Sequence, residues 1–250
     1  MQFDIKSRFS SQVLFSCELT AEIAGQSYGL QLGFAVKKAF EARAHLAGAH
    51  LADANLAGAK LAGAYLADAN LADANLADAN LAGAYLAGAN LAGAYLAGAY
   101  LADAYLAGAH LADAYLADAN LAGAYLAGAY LADAYLAGAY LAGAHLADAY
   151  LADAYLAGAN GKKLVLVGKR PVLQMGPLGS RAAQLSAYLT DDGVYVRTGC
   201  FFGPLEGFRA AVRETHGAIG LHAEEYAAAI VMIEHHARLW TPAKVASEAA

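Results

Sequence analysis

The chain has 250 residues, of which 59% are hydrophobic and only 15% charged, with 26 glycines, 4 prolines and one tryptophan. Its formal charge of −6 excludes a generally basic nucleic-acid binder, because neutralising phosphates takes clustered Lys and Arg. So few residue types cannot fill an irregular core, and they point to a repeat architecture. No apolar run approaches the ~18 residues of a membrane span; the longest is Tyr226 to Ile233. Residues 1–20 carry Asp4, Lys6, Arg8 and Glu18, which leaves no apolar signal region. Cys17 and Cys200 make no disulfide framework. A soluble, cytoplasmic protein in a reducing compartment is expected, with no membrane contact and no direct nucleic-acid binding.

Residues 2–8 and 11–19 read as two short strands around Ser10. Leu32, Ala35, Val36, Ala39 and Phe40 then follow the i, i+3, i+4, i+7, i+8 spacing of an amphipathic helix. Together residues 1–43 form a hairpin and helix that run straight into a repeat and are expected to plug its end.

From Leu46 to Leu156 a leucine occurs at every fifth position, giving 23 units of Ala, a variable residue, Leu, Ala, and Gly or Asp. On an α-helix a five-residue step leaves a net rotation of ~140°, so the leucines would spiral and build no stripe. Gly at 13 of the 23 fifth positions would also cost a helix ~1 kcal/mol each. On a flat strand five is odd, so alternate leucines would face opposite sides. A strand that turns one corner per unit resolves the conflict. The first Ala and the Leu then face inward, the variable residue and second Ala outward, and Gly or Asp takes the corner. Four corners close a square, so a coil holds twenty residues and coils stack ~4.8 Å apart.

The order Ala-x-Leu-Ala-Asp/Gly over residues 44–158 resembles the pentapeptide-repeat family, whose motif reads Ala-(Asp/Asn)-Leu-x-x. The resemblance implies a mainly β fold, a right-handed quadrilateral β-helix over residues 44–160. Tyr often stands at the second position, where the family has Asn or Asp.

After Asn160-Gly161 the composition changes. Lys163–Val167, Val172–Met175, Gln184–Leu189 and Gly193–Phe202 read as strands, with Asp192-Gly193 as a hairpin signal. Pro204–Thr215 and Glu224–Leu239 read as helices, so residues 161–250 are expected to form an α+β domain. The stretches Gly176–Arg181, Gly199–Gly203 and Thr215–Gly217 resemble a C-terminal region of bacterial and prophage-encoded pentapeptide-repeat proteins, which supplies no mechanism.

No Gly-x-Gly-x-x-Gly, phosphate-binding Gly-Lys-Ser/Thr, Cys-x-x-Cys or Gly-x-Ser-x-Gly occurs, and no cofactor or metal is expected. Cys200 with His216 has the residue types of a thiolate–imidazole pair, although a Cys in an apolar strand is ordinarily core. His216, His222, His235 and His236 are the metal-ligand candidates, but adjacent His235 and His236 face apart on a helix. Gly176–Arg181 has the composition of an anion cradle or of a plain loop.

The repeat surface carries more information. Every fourth unit stacks, so one side shows His45, Tyr65, Tyr85, Tyr105, Tyr125 and His145. Another shows Asn55, Asn75, Tyr95, Tyr115, Tyr135 and Tyr155. Such ladders stabilise rungs and also offer a flat aromatic contact face. Asp53, Asp73, Asp113, Asp133 and Asp153 line one corner, broken by Gly93. The repeats hold ten Asp against Lys60, a net −9.

The leading reading is a non-enzymatic structural or interaction scaffold with a protein partner, homo-oligomerisation being left open. The alternative rests on the resemblance, whose best-known members are gyrase-binding, quinolone-resistance factors similar to duplex DNA in shape and charge. It is a DNA-mimicking inhibitor or modulator of a type II topoisomerase (DNA gyrase). Nearly six coils span ~28 Å, over which DNA carries ~16 phosphate charges. Nine net charges give about half that density. A third reading is an enzyme centred on the C-terminal domain.

Overall fold

One repeat is a tight turn followed by a single bridging residue, and every backbone N–H in it can be accounted for. In the unit Ala79–Gly83, the Ala79 N–H closes the preceding turn on Leu76 O at 3.0 Å. The Asn80 N–H reaches back one coil to Ala59 O at 2.9 Å. The N–H groups of Leu81 and Gly83 reach forward one coil, to Tyr100 O at 2.7 Å and Ala102 O at 2.9 Å. The Ala82 N–H is taken by the Asn80 side chain at 3.1 Å. Only the corner residue needs unusual backbone. Asp53, Asp68, Asp73, Asp78, Asp103, Asp113, Asp118 and Asp133 have φ of 55 to 62°, and the corner glycines from Gly48 to Gly138 have 61 to 71°. This is the third position of a type II turn, which Gly meets without strain and Asp tolerates better than most residues.

The computed structural model describes residues 1–241 apart from 142–143, 147–148, 152–153, 158–161, 169, 180–181 and 200. Four parallel ladders run through the repeats, with bridging residues twenty apart, as in His50 to Asn70 to Asn90 and Tyr65 to Tyr85 to Tyr105. The coil therefore contains four repeats, and the product is a β-helical solenoid. Its leucines and first alanines face inward: Leu71 to Leu136 are at most 1% exposed. Each buried leucine contributes roughly 1.5–3 kcal/mol, so the stack is held by repetition of one contact.

A hairpin and two helices precede the first coil. Strand β1 (Gln2–Lys6) pairs antiparallel with β2 (Val13–Glu18), and a one-turn helix α1 (Ala21–Ala24) follows. Beyond Lys6 the hairpin continues onto the edge of the first coil, with Arg8 N–H to Gly48 O at 2.7 Å and His50 N–H to Lys6 O at 2.8 Å. Helix α2 (Tyr28–Glu41) buries Leu32, Ala35, Val36 and Ala39. Gly29 and Gly33, one turn apart, let its backbone touch the coil, where Asn55 N–H donates to Gly29 O at 2.8 Å. A Cβ on Gly29 would sit 2.5 Å from Asp53 O, and one on Gly33 would collide with Asn55 O.

The chain divides into two compact units, Met1–Tyr150 with Ala154–Leu156, and a second made chiefly of Ala157–Ala250. Short strands β3 (Tyr155–Ala157) and β4 (Lys163–Val165) lead into the second unit. Its sheet is an antiparallel meander of β5 (Val172–Leu178), β6 (Ala183–Thr190), β7 (Gly193–Thr198) and β8 (Phe201–Pro204). The stretch Gly193–Phe202 is therefore not one strand. Gly199, at φ 53°, allows a reversal, and Thr198 pairs with Phe201 across it. The hairpin at Asp192-Gly193 is present, with Asp191 and Asp192 in the turn and Gly193 already paired to Thr190. Helices α3 (Leu205–His216) and α4 (Leu221–Trp240) supply Phe208, Val212, Tyr226, Ile230 and Ile233 to a core shared with Leu185 and Val196 of the sheet.

Candidate interaction surface

The bridging residue of each repeat points outward, so residues twenty apart stack side chain on side chain. His45, Tyr65, Tyr85, Tyr105, Tyr125 and His145 form one unbroken column, with ring centroids 4.4 to 5.1 Å apart. From Tyr65 to His145 the rings are parallel within 7°. Tyr65, Tyr85, Tyr105 and Tyr125 keep 40 to 48% of their surface exposed, so the column presents ring edges and hydroxyls to water. A second column holds Asn55 and Asn75, then Tyr95, Tyr115 and Tyr135 stacked at 4.8 and 4.6 Å. Tyr155 continues it in sequence and lies in β3, but its side chain is outside the described residues.

The other two columns, which the sequence reading passed over, also carry aromatics. His110 stacks on Tyr130 at 4.8 Å, and Tyr100, Tyr130, Tyr140 and Tyr150 are exposed. The same twenty-residue step applied to every column would have found them. Where Asn stands instead, its side-chain oxygen accepts from the N–H two residues on, as at Asn70, Asn75, Asn90 and Asn120. Tyr cannot form that bond, and takes stacking in its place.

Asp53, Asp73, Asp113 and Asp133 share one exposed corner column, interrupted by Gly93; Asp153 lies outside the described residues. That corner is two residues from the Asn55-to-Tyr135 column in every repeat, so carboxylates border an aromatic strip. A shallow groove of about 500 Å³ on the Lys60 column is lined by Phe40, Lys60, Asp78, Asn80 and Tyr100.

In the second unit the chemical candidates are mostly occupied by structural contacts. Glu225 of α4 accepts the Gly179 N–H at 2.8 Å, so the proposed anion cradle already holds a carboxylate of the chain itself. His236 meets Arg170 O at 2.8 Å, and His235 accepts from Arg238 at 2.7 Å. The His216 ring lies against both His222 and Tyr226, with centroids 5.8 and 5.5 Å away. Among the described residues no three His, Cys, Asp or Glu are placed to hold a metal ion. Cys200, and with it the pairing to His216, lies outside the described residues.

A family model described as Pentapeptide repeats matches eight copies across residues 42–76, 64–101, 74–111, 99–134 and 129–160. Comparison with curated protein sequences finds no match. Among solved structures, the pentapeptide repeat protein Rfr23 from the cyanobacterium Cyanothece 51142 is 39% identical over 36% of this chain and 61% of its own, with a TM-score of 0.35. The pentapeptide repeat protein alr5209 from Nostoc Pcc 7120 is 35% identical over 38% of this chain and 69% of its own, with a TM-score of 0.14. The plasmid-mediated fluoroquinolone resistance protein QnrB1 is 19% identical over 39% of this chain and 57% of its own, with a TM-score of 0.18. The chain thus spans about three-fifths of the length of Rfr23.

Proposed function

Because the chain belongs to the pentapeptide-repeat family through residues 42–160, we propose that it is a non-enzymatic protein-interaction scaffold whose contact surface is the set of tyrosine columns. The observation that carries this is the unbroken column from His45 to His145, with its four tyrosines 40 to 48% exposed. Stacking fixes each ring between its neighbours, so a partner meets a surface whose side-chain entropy is already spent. Tyrosine supplies apolar area and a hydroxyl in one rigid side chain, which is why interfaces favour it. The corner column of Asp53, Asp73, Asp113 and Asp133 borders the other tyrosine column, Asn55 to Tyr135, and on that side selects a partner with an apolar strip flanked by basic residues.

In this reading the coil winds right-handed, the hand nearly all parallel strand crossovers adopt. Residues 1–43 cap it, residues 44–160 form the rod, and residues 161–250 form an attached α+β module. Replacing Tyr85, Tyr105 and Tyr125 together with Ser tests the assignment, with binding of a captured partner as the readout. Loss of binding in a folded variant supports the aromatic surface, and retention rejects it.

The acidic corner column favours a second reading, a DNA-mimicking inhibitor or modulator of a type II topoisomerase. The net charge density of the whole repeat region is about half that of duplex DNA, and Gly93 breaks the acidic column. Supercoiling inhibition that falls with salt, and is lost when Asp113, Asp133 and Asp153 become Asn, would establish it.

A further inference from the structure

Helix α4 is apolar on two opposite faces. Tyr226, Ala229, Ile230 and Ile233 turn inward onto the sheet. On the other side Leu221, Val231, Met232 and Leu239 are 56 to 78% exposed, with Ala228 between them. Among the described residues nothing covers this outer stripe, which shows more apolar surface than a solvent-facing helix side ordinarily does. Leu221 and Ala228 are seven residues apart, as are Met232 and Leu239, the spacing by which two helices pack along a seam.

Charge along the stripe decides what covers it. Its N-terminal end carries Glu224, in the first turn, and its C-terminal end carries Arg238, in the last. A second α4 laid antiparallel, with the two-fold axis near Val231 and Met232, brings Glu224 of each copy beside Arg238 of the other. It also sets the two helix dipoles antiparallel, the positive end of each beside the negative end of the other. A parallel pair would place Glu224 against Glu224. The stripe is thus self-complementary in apolar content and in charge, as a two-fold interface requires.

We propose that the outer face of α4 is the dimer interface, and that its occupant is the α4 of a second copy of this chain. The dimer displays two solenoids, and so two sets of tyrosine columns, which raises avidity for a repeated partner.

Sedimentation equilibrium of the full chain tests this. The wild-type mass should rise with concentration from 25.7 kDa towards twice that value. Met232→Glu should hold it at the single-chain mass with unchanged circular dichroism. Glu224→Arg alone and Arg238→Glu alone should each weaken the dimer severalfold, and the two together should restore it. The proposal is overturned by a wild type that stays at the single-chain mass, or by a dimer that survives Met232→Glu. Co-sedimentation of the monomer with phosphatidylcholine–phosphatidylglycerol vesicles, lost in Met232→Glu, would give the face to a membrane surface instead. This readout is independent of the tyrosine columns, so its failure leaves the scaffold assignment standing.

Discussion

The carboxylate of Asp73 lies over the bare Cα of Gly93, one coil further along the same corner. The pattern recurs with Asp68 over Gly88, Asp78 over Gly98, Asp103 over Gly123 and Asp118 over Gly138. By contrast, a Cβ on Gly58, Gly63, Gly83, Gly108 or Gly128 would meet nothing within 4 Å. Gly93 and Gly83 have nearly the same φ, 66 and 61°. Alanine at either should therefore lose about 1–2 kcal/mol to left-handed strain. Gly93→Ala should lose more than Gly83→Ala, because the Asp73 side chain must also swing away. Chemical denaturation of the two variants measures the difference, and equal losses would reject the contact.

The inward and outward positions should differ sharply in tolerance. Leu101 is 1% exposed and lies between Leu81 and Leu121 in the stack. Leu101→Asp buries an unpaired carboxylate and should cost several kcal/mol, visible as a lowered and broadened melt. Tyr105 stacks on Tyr85 and Tyr125, both at 4.9 Å, yet is 41% exposed. Tyr105→Ser should keep the fold and lose about 1 kcal/mol of stacking. A melt for Leu101→Asp that matched the wild type would refute the inward assignment.

The cap should depend on the glycines of α2. Gly33→Val forces the helix off Asn55, and the bond from Asn55 N–H to Gly29 O at 2.8 Å should open. Hydrogen exchange should accelerate at Asn55 and at neighbouring first-coil amides while the middle coils stay protected. Deleting residues 1–43 should go further, exposing an edge and driving association seen by light scattering. Unchanged exchange at Asn55 in Gly33→Val would contradict the cap geometry.

In the second unit, Lys162 Nζ lies 2.5 Å from Asp192 Oδ1, and the Tyr195 hydroxyl donates to Asp192 Oδ2 at 2.7 Å. The Lys162 hydrogen bond holds Asp192 below the usual carboxylate range, and the Tyr195 bond adds to this. The same Asp192 bond raises Lys162. The Asp192 contribution is fully present above the unfolded carboxylate value, ~3.9, and fades as pH falls through the lower folded one. The Lys162 contribution is present below ~10.4 and fades as pH rises through its raised value. Asp192→Asn should therefore melt below the wild type at neutral pH, with the gap closing below about pH 4. A gap that persists in acid would show that the charge is irrelevant.

The solenoid was legible because its signal is periodic. A five-residue step that fits neither helix nor flat strand leaves only a cornered coil, and it fixes which residues face in. The facing of Tyr65 and Tyr85, or of Leu81 and Leu101, follows from that count alone. Contacts that depend on a single backbone approach were not legible. Gly29 and Gly33 look like weak points in a helix until the coil beside them is seen. Gly199 looks like part of a strand, although its left-handed φ ends that strand. Asp73 over Gly93 depends on a rotamer, which no pattern of residue types encodes. The α4 stripe was visible as the longest apolar run, but its two faces separate only once the sheet claims one of them.

The most direct test of the scaffold assignment compares two variants of equal size against the same captured partner at physiological salt. One replaces Tyr85, Tyr105 and Tyr125 with Ser, and the other replaces Asp73, Asp113 and Asp133 with Asn. The aromatic variant should lose binding, because it removes stacked area at the centre of the surface. The acidic variant should retain most of it, since each exposed charge is worth little when screened. Binding that survives in the aromatic variant and vanishes in the acidic one would contradict the assignment and favour a charge-reading, DNA-like surface.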